Sequence, residues 1–171
     1  RFLNRTYENF NPNGNEEAFT KAKKYAERFS QADERLSTGL LLIGNAGTGK
    51  THLAAAIVNH LIGESVPAMF ITSIDLFGLL RDFDNQRERL KKIKSVPLLV
   101  IDDLGKEKIT DWNREKLFEI INARYEDYLP VIITTNDTTK ELNQNVGEAI
   151  YSRFCEICDL VPMRGKDYRK Q

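Results

Sequence analysis

The clearest chemistry in the sequence lies in one stretch, Gly44-Asn45-Ala46-Gly47-Thr48-Gly49-Lys50-Thr51, which matches the pattern G-x-x-x-x-G-K-[ST]. Its glycines let the backbone curl so that successive N–H groups can converge on phosphate oxygens. A helix that begins at the motif adds the positive end of its dipole. We therefore expect this loop to bind a nucleoside triphosphate. Lys50 would neutralise the β and γ phosphates, and the Thr51 hydroxyl would be a Mg²⁺ ligand.

A second acidic site follows the apolar segment Leu98-Leu99-Val100-Ile101, which leads directly into Asp102 and Asp103. A buried parallel strand delivers its last residues to the carboxyl edge of the sheet, where ligands bind in open α/β folds. We expect Asp102 to hold Mg²⁺, directly or through water, and Asp103 to orient or deprotonate an attacking water. The alternative is that Asp103 only caps the next turn.

A third polar group ends another apolar segment, Val131-Ile132-Ile133-Thr134-Thr135, which is followed by Asn136. A strand placed between the phosphate-loop strand and the Asp102 strand would bring Asn136 near the γ-phosphate. Its amide would then position the hydrolytic water. The alternative is an Asn that merely starts a turn before Asp137.

The hydrophobic pattern of the sequence predicts the strands and helices that would hold these groups in position. Short apolar segments predict strands at 39–43, 68–72, 97–102, 130–135 and 156–161, and helical periodicity predicts helices near 50–62, 74–83, 86–94, 111–128 and 145–153. Strands that are almost wholly apolar and alternate with helices predict an α/β fold with a parallel sheet covered on both faces. Residues 1–14 are predicted to be an extended arm, and residues 15–30 a helix with Ala18, Ala22, Tyr25, Ala26 and Phe29 on its buried face.

The amino-acid composition argues against some classes of function and location. The 171 residues carry 25 Lys plus Arg and 25 Asp plus Glu, so bulk charge does not favour coating of duplex DNA. Only two cysteines occur, and no apolar segment is long enough to span a bilayer. A cytoplasmic protein is expected. Because the chain begins at Arg1 without an initiator Met, we also expect it to be a fragment of a longer protein.

The segments GNAGTGKTHLAAAI, LLVIDDLG, ITTN and YSRF occur in this order and spacing, with RGKDYR near the end. Together they resemble AAA+ ATPases of the DnaC/DnaI type, the bacterial replicative helicase loaders, and the related IstB transposition helpers. The resemblance extends from Phe2 to Arg169. It implies a three-layer P-loop fold with five parallel strands in the order 5-1-4-3-2. It also implies ATP or ADP and Mg²⁺ as cofactors, bound by Gly44–Thr51 together with His52, whose side chain is expected to pack or lie at the surface.

The resemblance also assigns roles at a distance from the loop. Asn136 matches the position called sensor 1, and Arg153 matches the arginine finger that reaches the ATP of a neighbouring subunit. An alternative for Arg153 is an ion pair with Glu148 or Glu156 on a helix surface. Segment 73–95 resembles the helical insertion that forces subunits of this family into a spiral. The implied partners are a replicative helicase, single-stranded DNA and further copies of the chain.

The sequence departs from the family in two respects. No room remains after the fifth strand for a full helical lid, so a second sensor is in doubt, with Arg169 as a possible substitute. We expect residues 1–30 to form the arm and linker helix and residues 31–171 the AAA+ core, without the family's N-terminal helicase-binding domain.

Other features stay open on the sequence alone. Segment 81–94 is locally basic, and with Phe77 and Phe83 it could bind single-stranded DNA or be a solvated helix face over core aromatics. Tyr7 and Phe10 could flank an adenine ring or pack against the core. Cys155 and Cys158 are predicted to lie on one strand, which argues against a metal site. A transposition helper is the nearest rival function, and a small-molecule P-loop kinase a more distant one.

Overall fold

The computed structural model describes residues 2–31, 38–82, 84–106 and 109–165. The strands are β1 (Gly39–Ile43), β2 (Ala68–Thr72), β3 (Leu98–Leu104), β4 (Val131–Thr135) and β5 (Cys158–Pro162). The helices are α1 (Glu16–Gln31), α2 (Lys50–Gly63), α3 (Ser73–Arg81), α4 (Gln86–Ser95), α5 (Asp111–Glu126), α6 (Thr139–Val146) and α7 (Glu148–Ile157). Within the described ranges, no helix combines the length and apolar character needed to cross a membrane.

The strands form one parallel sheet in the order β2-β3-β4-β1-β5. Read from the other edge this is 5-1-4-3-2, so the predicted fold and strand order are confirmed. In this order β4 lies between β1 and β3, with Leu40 opposite Ile132 and Ile101 opposite Ile133. The carboxyl ends of the three central strands therefore meet at one edge of the sheet.

Apolar residues alternate between two cores, one on each face of the sheet. Leu41, Ile101 and Ile133 face α3, α4, α5 and α7, whereas Leu40, Val100 and Ile132 face α1 and α2. Successive residues of a strand point to opposite faces, so an uninterrupted apolar strand supplies both cores. The two layers hold the ends of β1, β3 and β4 rigidly in place.

The N-terminal arm lies against the α2 face. The Asn59 side chain on α2 donates hydrogen bonds to the carbonyl oxygens of Phe2 at 2.9 Å and Arg5 at 2.8 Å. Farther along, the Tyr7 hydroxyl donates to the Ala22 carbonyl at 3.2 Å. The predicted buried face of α1 is confirmed, with Ala18, Ala22, Tyr25 and Ala26 buried and Phe29 packed against the same cluster.

A buried asparagine joins the start of α1 to the end of β5. The Asn15 amide donates to the Arg164 carbonyl at 2.7 Å, and its oxygen accepts from the Arg164 N–H at 2.8 Å. One residue earlier, the Met163 N–H donates to the Ile43 carbonyl at 2.7 Å. The segment after β5 is thus held beside the point where β1 enters the glycine loop.

Several predicted boundaries were wrong. Helix α7 continues to Ile157, so Cys155 lies on that helix and only Cys158 lies on β5, not both on one strand. Helix α6 was not predicted, although the Thr138 and Glu141 capping box begins it. The apolar pattern of α5 also predicts Tyr128 on the buried face of that helix, but Tyr128 is 74% exposed and Arg124 is buried. The helix predicted at 74–83 is α3, which ends at Arg81, and Phe83 lies outside the described residues.

Candidate nucleotide site

The glycine loop runs from the end of β1 to the start of α2. Gly49 is the N-cap of α2 with a φ of 96°, and no side chain caps the helix, so its first N–H groups remain available to a ligand. At Gly49 a Cβ would also come within 2.6 Å of the Phe10 ring. Gly44 has a φ of 155°, and its Cβ would collide with the Met163 carbonyl oxygen. Both positions therefore require glycine.

Two buried side chains hold the loop in shape from within. The Thr48 hydroxyl donates to the Asn45 carbonyl at 2.9 Å. The Lys50 ammonium group donates to the carbonyl oxygens of Gly44 at 2.6 Å and Asn45 at 2.7 Å. Lys50 is only 4% exposed, yet it lines the cavity described below. A positive charge is thus fixed where the loop backbone turns.

The two adjacent aspartates lie inside β3, which continues two residues beyond the predicted end at residue 102. Between Ile101 and Leu104 the pairing with β4 slips by one residue, and Asp103 adopts a left-handed backbone with a φ of 57°. In a regular strand, neighbouring side chains would point to opposite faces. This β-bulge instead lets both carboxylates line the same cavity.

The environment of the two carboxylates differs. Asp102 is 2% exposed, and its Oδ1 accepts a hydrogen bond from the Thr134 hydroxyl at 2.7 Å. Burial raises the pKa of Asp102, with a smaller contribution from the charge of Asp103, while the hydroxyls of Thr134 and Thr51 oppose the rise. Asp103 is more exposed and forms an ion pair with Lys106 at 3.5 Å. A buried carboxylate beside a threonine hydroxyl is a donor set that suits Mg²⁺.

A cavity of about 620 Å³ brings most of the predicted site together. Its wall includes both aspartates, Asn136 and the loop residues Ala46, Gly47, Gly49, Lys50, Thr51 and His52. Gly44, Asn45 and Thr48 shape the loop without being part of that wall. Asn136 is exposed at the end of β4, between the loop and the acidic strand, where the strand order was expected to place it.

The arm supplies another wall of the same cavity, through Phe2, Arg5, Asn9, Phe10 and Asn11. Sequence reasoning proposed only Phe10 and Tyr7 for this region. Phe10 packs against the core, stacked on Phe19 with ring centroids 5.6 Å apart, and it also lines the cavity, while its proposed contact with adenine stays a prediction. Tyr7 packs against the core and lies outside the cavity wall. No local sequence pattern predicted that Arg5, Asn9 and Lys106 would line the cavity. An irregular segment carries no signal that shows which distant loop it contacts.

His52 connects the arm to the glycine loop. Its Nε2 lies 2.9 Å from the Thr6 carbonyl oxygen, which can only accept, so this nitrogen carries the proton. The Phe10 ring packs at a steep angle to the imidazole, with centroids 5.2 Å apart. Burial lowers the pKa of His52, so the ring is neutral at pH 7. The side chain therefore packs as the sequence predicted, while the residue also borders the cavity.

Arg153 is not part of the cavity wall. It lies on α7, with its guanidinium group 4.0 Å from the centre of the Tyr125 ring and 3.4 Å from Glu156. Within one chain this is the ion-paired arrangement that the sequence left open as an alternative. A contribution to catalysis would require a second subunit.

The basic segment 81–94 is extensively paired. Arg89 contacts Asp82, Lys92 contacts Glu88 at 3.0 Å, and Lys94 contacts Glu119 at 2.6 Å. Phe77 is 3% exposed within the core, so it cannot stack on a nucleic-acid base. Phe83 and Arg169, the other aromatic side chain and the substitute second sensor, both lie outside the described residues.

Comparison with known proteins places this geometry in a family. The model of the IstB-like ATP-binding protein family matches residues 15–171. The phage-like element PBSX protein XkdC of Bacillus subtilis is 31% identical over 166 residues, 92% of this chain and 62% of that protein. The replicative helicase loader DnaC of Escherichia coli is 30% identical over 146 residues, 82% of this chain and 58% of that protein. The chain thus spans about three fifths of these relatives.

Solved structures agree with this placement. The crystal structure of the DnaC helicase loader matches with a TM-score of 0.86 at 27% identity, covering 96% of this chain and 99% of that chain. The DnaI structure gives 0.80 at 29% identity, covering 97% and 91%. The initiator DnaA bound to AMPPCP and single-stranded DNA gives 0.83 at 26% identity, covering 97% and 52%. The resemblance to DnaC/DnaI-type AAA+ domains is confirmed, and the chain belongs to the IstB-like ATP-binding protein family.

Proposed function

We propose that this chain is the ATPase domain of a DNA-replication helicase loader, with Mg-ATP bound in the 620 Å³ cavity. The observation that supports this most directly is the meeting of the glycine loop, the two aspartates and Asn136 in one wall. The loop N–H groups and Lys50 would bind the phosphates. Thr51 and Asp102 would hold Mg²⁺, which neutralises charge between the β and γ phosphates. Arg5 and the arm aromatics would border the nucleoside end.

Hydrolysis would depend on the groups at the ends of β3 and β4. Asp103, the more exposed carboxylate, would orient or deprotonate the attacking water, and Asn136 would hold that water in line with the γ-phosphate. Arg153 from a neighbouring subunit would complete the site by stabilising charge on the transferred phosphate. The site would then turn over slowly in an isolated chain and faster in an assembly.

The biological role that we propose follows from coupling ATP to assembly. ATP bound between subunits would order copies of the chain around single-stranded DNA so that a ring helicase can be deposited, and hydrolysis would release them. The similarity to the helicase loader DnaC, over most of this chain, supports this role. The helicase itself would be recognised largely by a separate N-terminal domain.

The family match also supports a second candidate, a transposition helper ATPase of the IstB type. An ATP-binding protein of an insertion sequence from Geobacillus stearothermophilus is 31% identical over 138 residues, 76% of this chain and 55% of that protein. Such a helper would act on duplex DNA. ATP-dependent binding of single-stranded but not duplex oligonucleotides would favour the loader, and the reverse preference would favour the helper.

The nucleotide site is tested by replacing Lys50 with Ala. Because the ammonium group supplies the charge that neutralises the phosphates, we expect ATP affinity to fall at least about tenfold and turnover to disappear. Titration with a fluorescent ATP analogue measures the first, and phosphate release the second. Lys91→Ala, at an exposed position on α4, is the matched control and should bind ATP like the wild type. Unchanged affinity in Lys50→Ala would refute the proposed site.

The loader role needs its own experiment. If it is correct, the full-length protein from its source organism should co-purify with a replicative helicase of the same organism in the presence of ATP. Co-purification with a transposase instead would assign the chain to the second candidate.

A further inference from the structure

The hydroxyl of Thr134, the next-to-last residue of the buried strand β4, contacts both aspartates of the proposed site. It donates to Oδ1 of Asp102 at 2.7 Å and accepts from the N–H of Asp103 at 2.9 Å. Thr134 is fully buried, so no solvent competes for these bonds. We infer that Thr134 is a positioning residue that sets the orientation of both carboxylates for Mg²⁺ binding and hydrolysis.

The hydroxyl has only one proton, and its neighbours determine where that proton goes. The Asp103 N–H can only donate, so it must face an oxygen lone pair of Thr134. The proton is therefore directed to Asp102, whose Oδ1 must accept and so must be unprotonated. A carboxylate fixed at one oxygen has a fixed plane. Its other oxygen is thereby oriented for a metal, as outer partners orient metal ligands elsewhere.

The same hydroxyl stabilises the unusual backbone that gives Asp103 its position. A φ of 57° is uncommon for a residue other than glycine and strains the backbone. Thr134 binds the Asp103 N–H, while the buried Ser73 hydroxyl donates to the Asp103 carbonyl at 3.0 Å. Both backbone polar groups of the bulged residue are therefore held by side chains from neighbouring elements.

This arrangement cannot be attributed to general packing, because the next residue offers a direct comparison. Thr135 is also fully buried on β4, but its hydroxyl donates to the Leu104 carbonyl at 2.7 Å and does not contact Asp102. Successive residues of a strand point to opposite faces, which explains the difference. Thr135 thus provides a control at the same depth in the same strand.

The inference rests on the proposed Mg-ATP site, and a set of Thr134 variants tests it. Thr134→Val removes the hydroxyl at nearly constant shape, and Thr134→Ala removes it without placing a methyl group against the carboxylate. We expect ATP affinity in EDTA to stay within about twofold of wild type in both. The gain in affinity on adding Mg²⁺ should fall about tenfold or more, so KM for Mg-ATP should rise by a similar factor, and kcat should also fall about tenfold.

Two further variants separate orientation from simple destabilisation. Thr134→Ser keeps the hydroxyl and should retain the Mg²⁺ gain and kcat within about threefold of wild type. Thr135→Val should retain the Mg²⁺ gain. Thermal unfolding without nucleotide identifies any variant that fails to fold, in which case the remaining hydroxyl-free variant and Thr134→Ser decide.

The outcomes are distinguishable. A normal Mg²⁺ gain in Thr134→Val or Thr134→Ala would overturn this inference alone, as would a loss in Thr134→Ser as large as in Thr134→Val. A loss in Thr135→Val equal to that in Thr134→Val would also overturn it, by assigning the effect to packing. A wild-type chain without Mg²⁺-dependent nucleotide binding would overturn both the inference and the proposed site.

Discussion

Asp102 belongs to the proposed Mg-ATP site, and its buried charge opposes folding. Its carboxylate is buried, and burial raises its pKa, which means that the charged form is less stable in the folded chain than in the unfolded chain. The charge therefore costs stability at every pH above the folded pKa. The cost disappears as the pH falls toward the unfolded pKa, near about 3.9. Removing the charge should stabilise the protein.

We predict that Asp102→Asn unfolds at higher urea concentration than wild type in EDTA at pH 7.5, with a gain of the order of 1 kcal/mol. The gain in stability should shrink as the pH is lowered toward 4, because the wild-type Asp102 side chain then becomes protonated and, like asparagine, carries no charge. Asp103→Asn, at the more exposed position, is the control and should change stability by less than about 0.5 kcal/mol. An Asp102→Asn protein less stable than wild type at pH 7.5 would contradict this reading.

Among the elements, the N-terminal arm has the least regular structure and the largest contribution to the cavity beyond the glycine loop. Asn59 on α2 binds it through the carbonyl oxygens of Phe2 and Arg5, and the Phe2 ring packs at a tilt against Phe70 of β2 with centroids 4.5 Å apart. The start of the arm is thus held by individual side-chain contacts. Loss of one point should affect both its position and the nucleotide site.

We predict that Asn59→Ala lowers the free energy of unfolding by about 2 kcal/mol, because it loses two hydrogen bonds that contribute roughly 1 kcal/mol each. Trypsin should cut faster after Arg5, and ATP affinity should fall severalfold because Arg5 and Phe2 line the cavity. Asn122→Ala, which loses only a surface bond to Glu126, is the matched control. Unchanged cleavage and affinity in Asn59→Ala would show that the arm is held by other contacts.

The elements also show what the sequence could and could not predict. All five strands were predicted to within two residues. The signal is strongest for β1, β3 and β4, which are buried on both faces and therefore largely apolar. The bulge at Asp103 was missed because it depends on hydroxyl groups of Thr134 and Ser73, which come from other elements. Arg124 was missed for a similar reason. It is fully buried only because it donates to carbonyl oxygens such as those of Ile93 and Val96, in a distant helix end.

For the site, local motifs were sufficient to predict that the glycine loop, Asp102, Asp103 and Asn136 lie close together, because the strand order determines how the carboxyl ends of β1, β3 and β4 meet. Their roles in binding and catalysis stay predictions. The arm residues Arg5 and Asn9 could not be assigned, since an irregular segment carries no periodicity that fixes its path. The catalytic role of Arg153 stays a prediction, because it depends on a second molecule.

On the scale of the whole molecule, the proposed site is complete only between two chains. Arg153 in one chain contacts Tyr125 and Glu156 and does not border its own cavity. A composite site predicts that the ATPase rate per subunit rises with protein concentration. A small-molecule kinase would instead turn over as a monomer at a rate independent of dilution.

We predict that Arg153→Ala loses about 10³-fold in kcat while still binding ATP, as expected for a lost arginine finger. Lys50→Ala should be inactive because it cannot bind ATP. Mixing the two should restore activity well above either alone, since a Lys50→Ala subunit can supply Arg153 to ATP bound by an Arg153→Ala subunit. The control is a variant that carries both substitutions, in which every subunit lacks both Lys50 and Arg153. No recovery at any mixing ratio would place the whole site within one chain.

The pairing partners of β1 affect when this strand can join the sheet during folding. The strand that leads into the glycine loop pairs with β4 and β5, so that Leu40 lies opposite Ile132 and Asp159, which follow it by 92 and 119 residues. Closing such long loops loses conformational entropy before any pairing compensates for it, and β1 therefore joins the sheet late in folding. A half-synthesised chain would carry the whole motif and still bind no nucleotide. ATP can recognise only a nearly finished domain, and it stabilises that domain by mass action instead of guiding its folding.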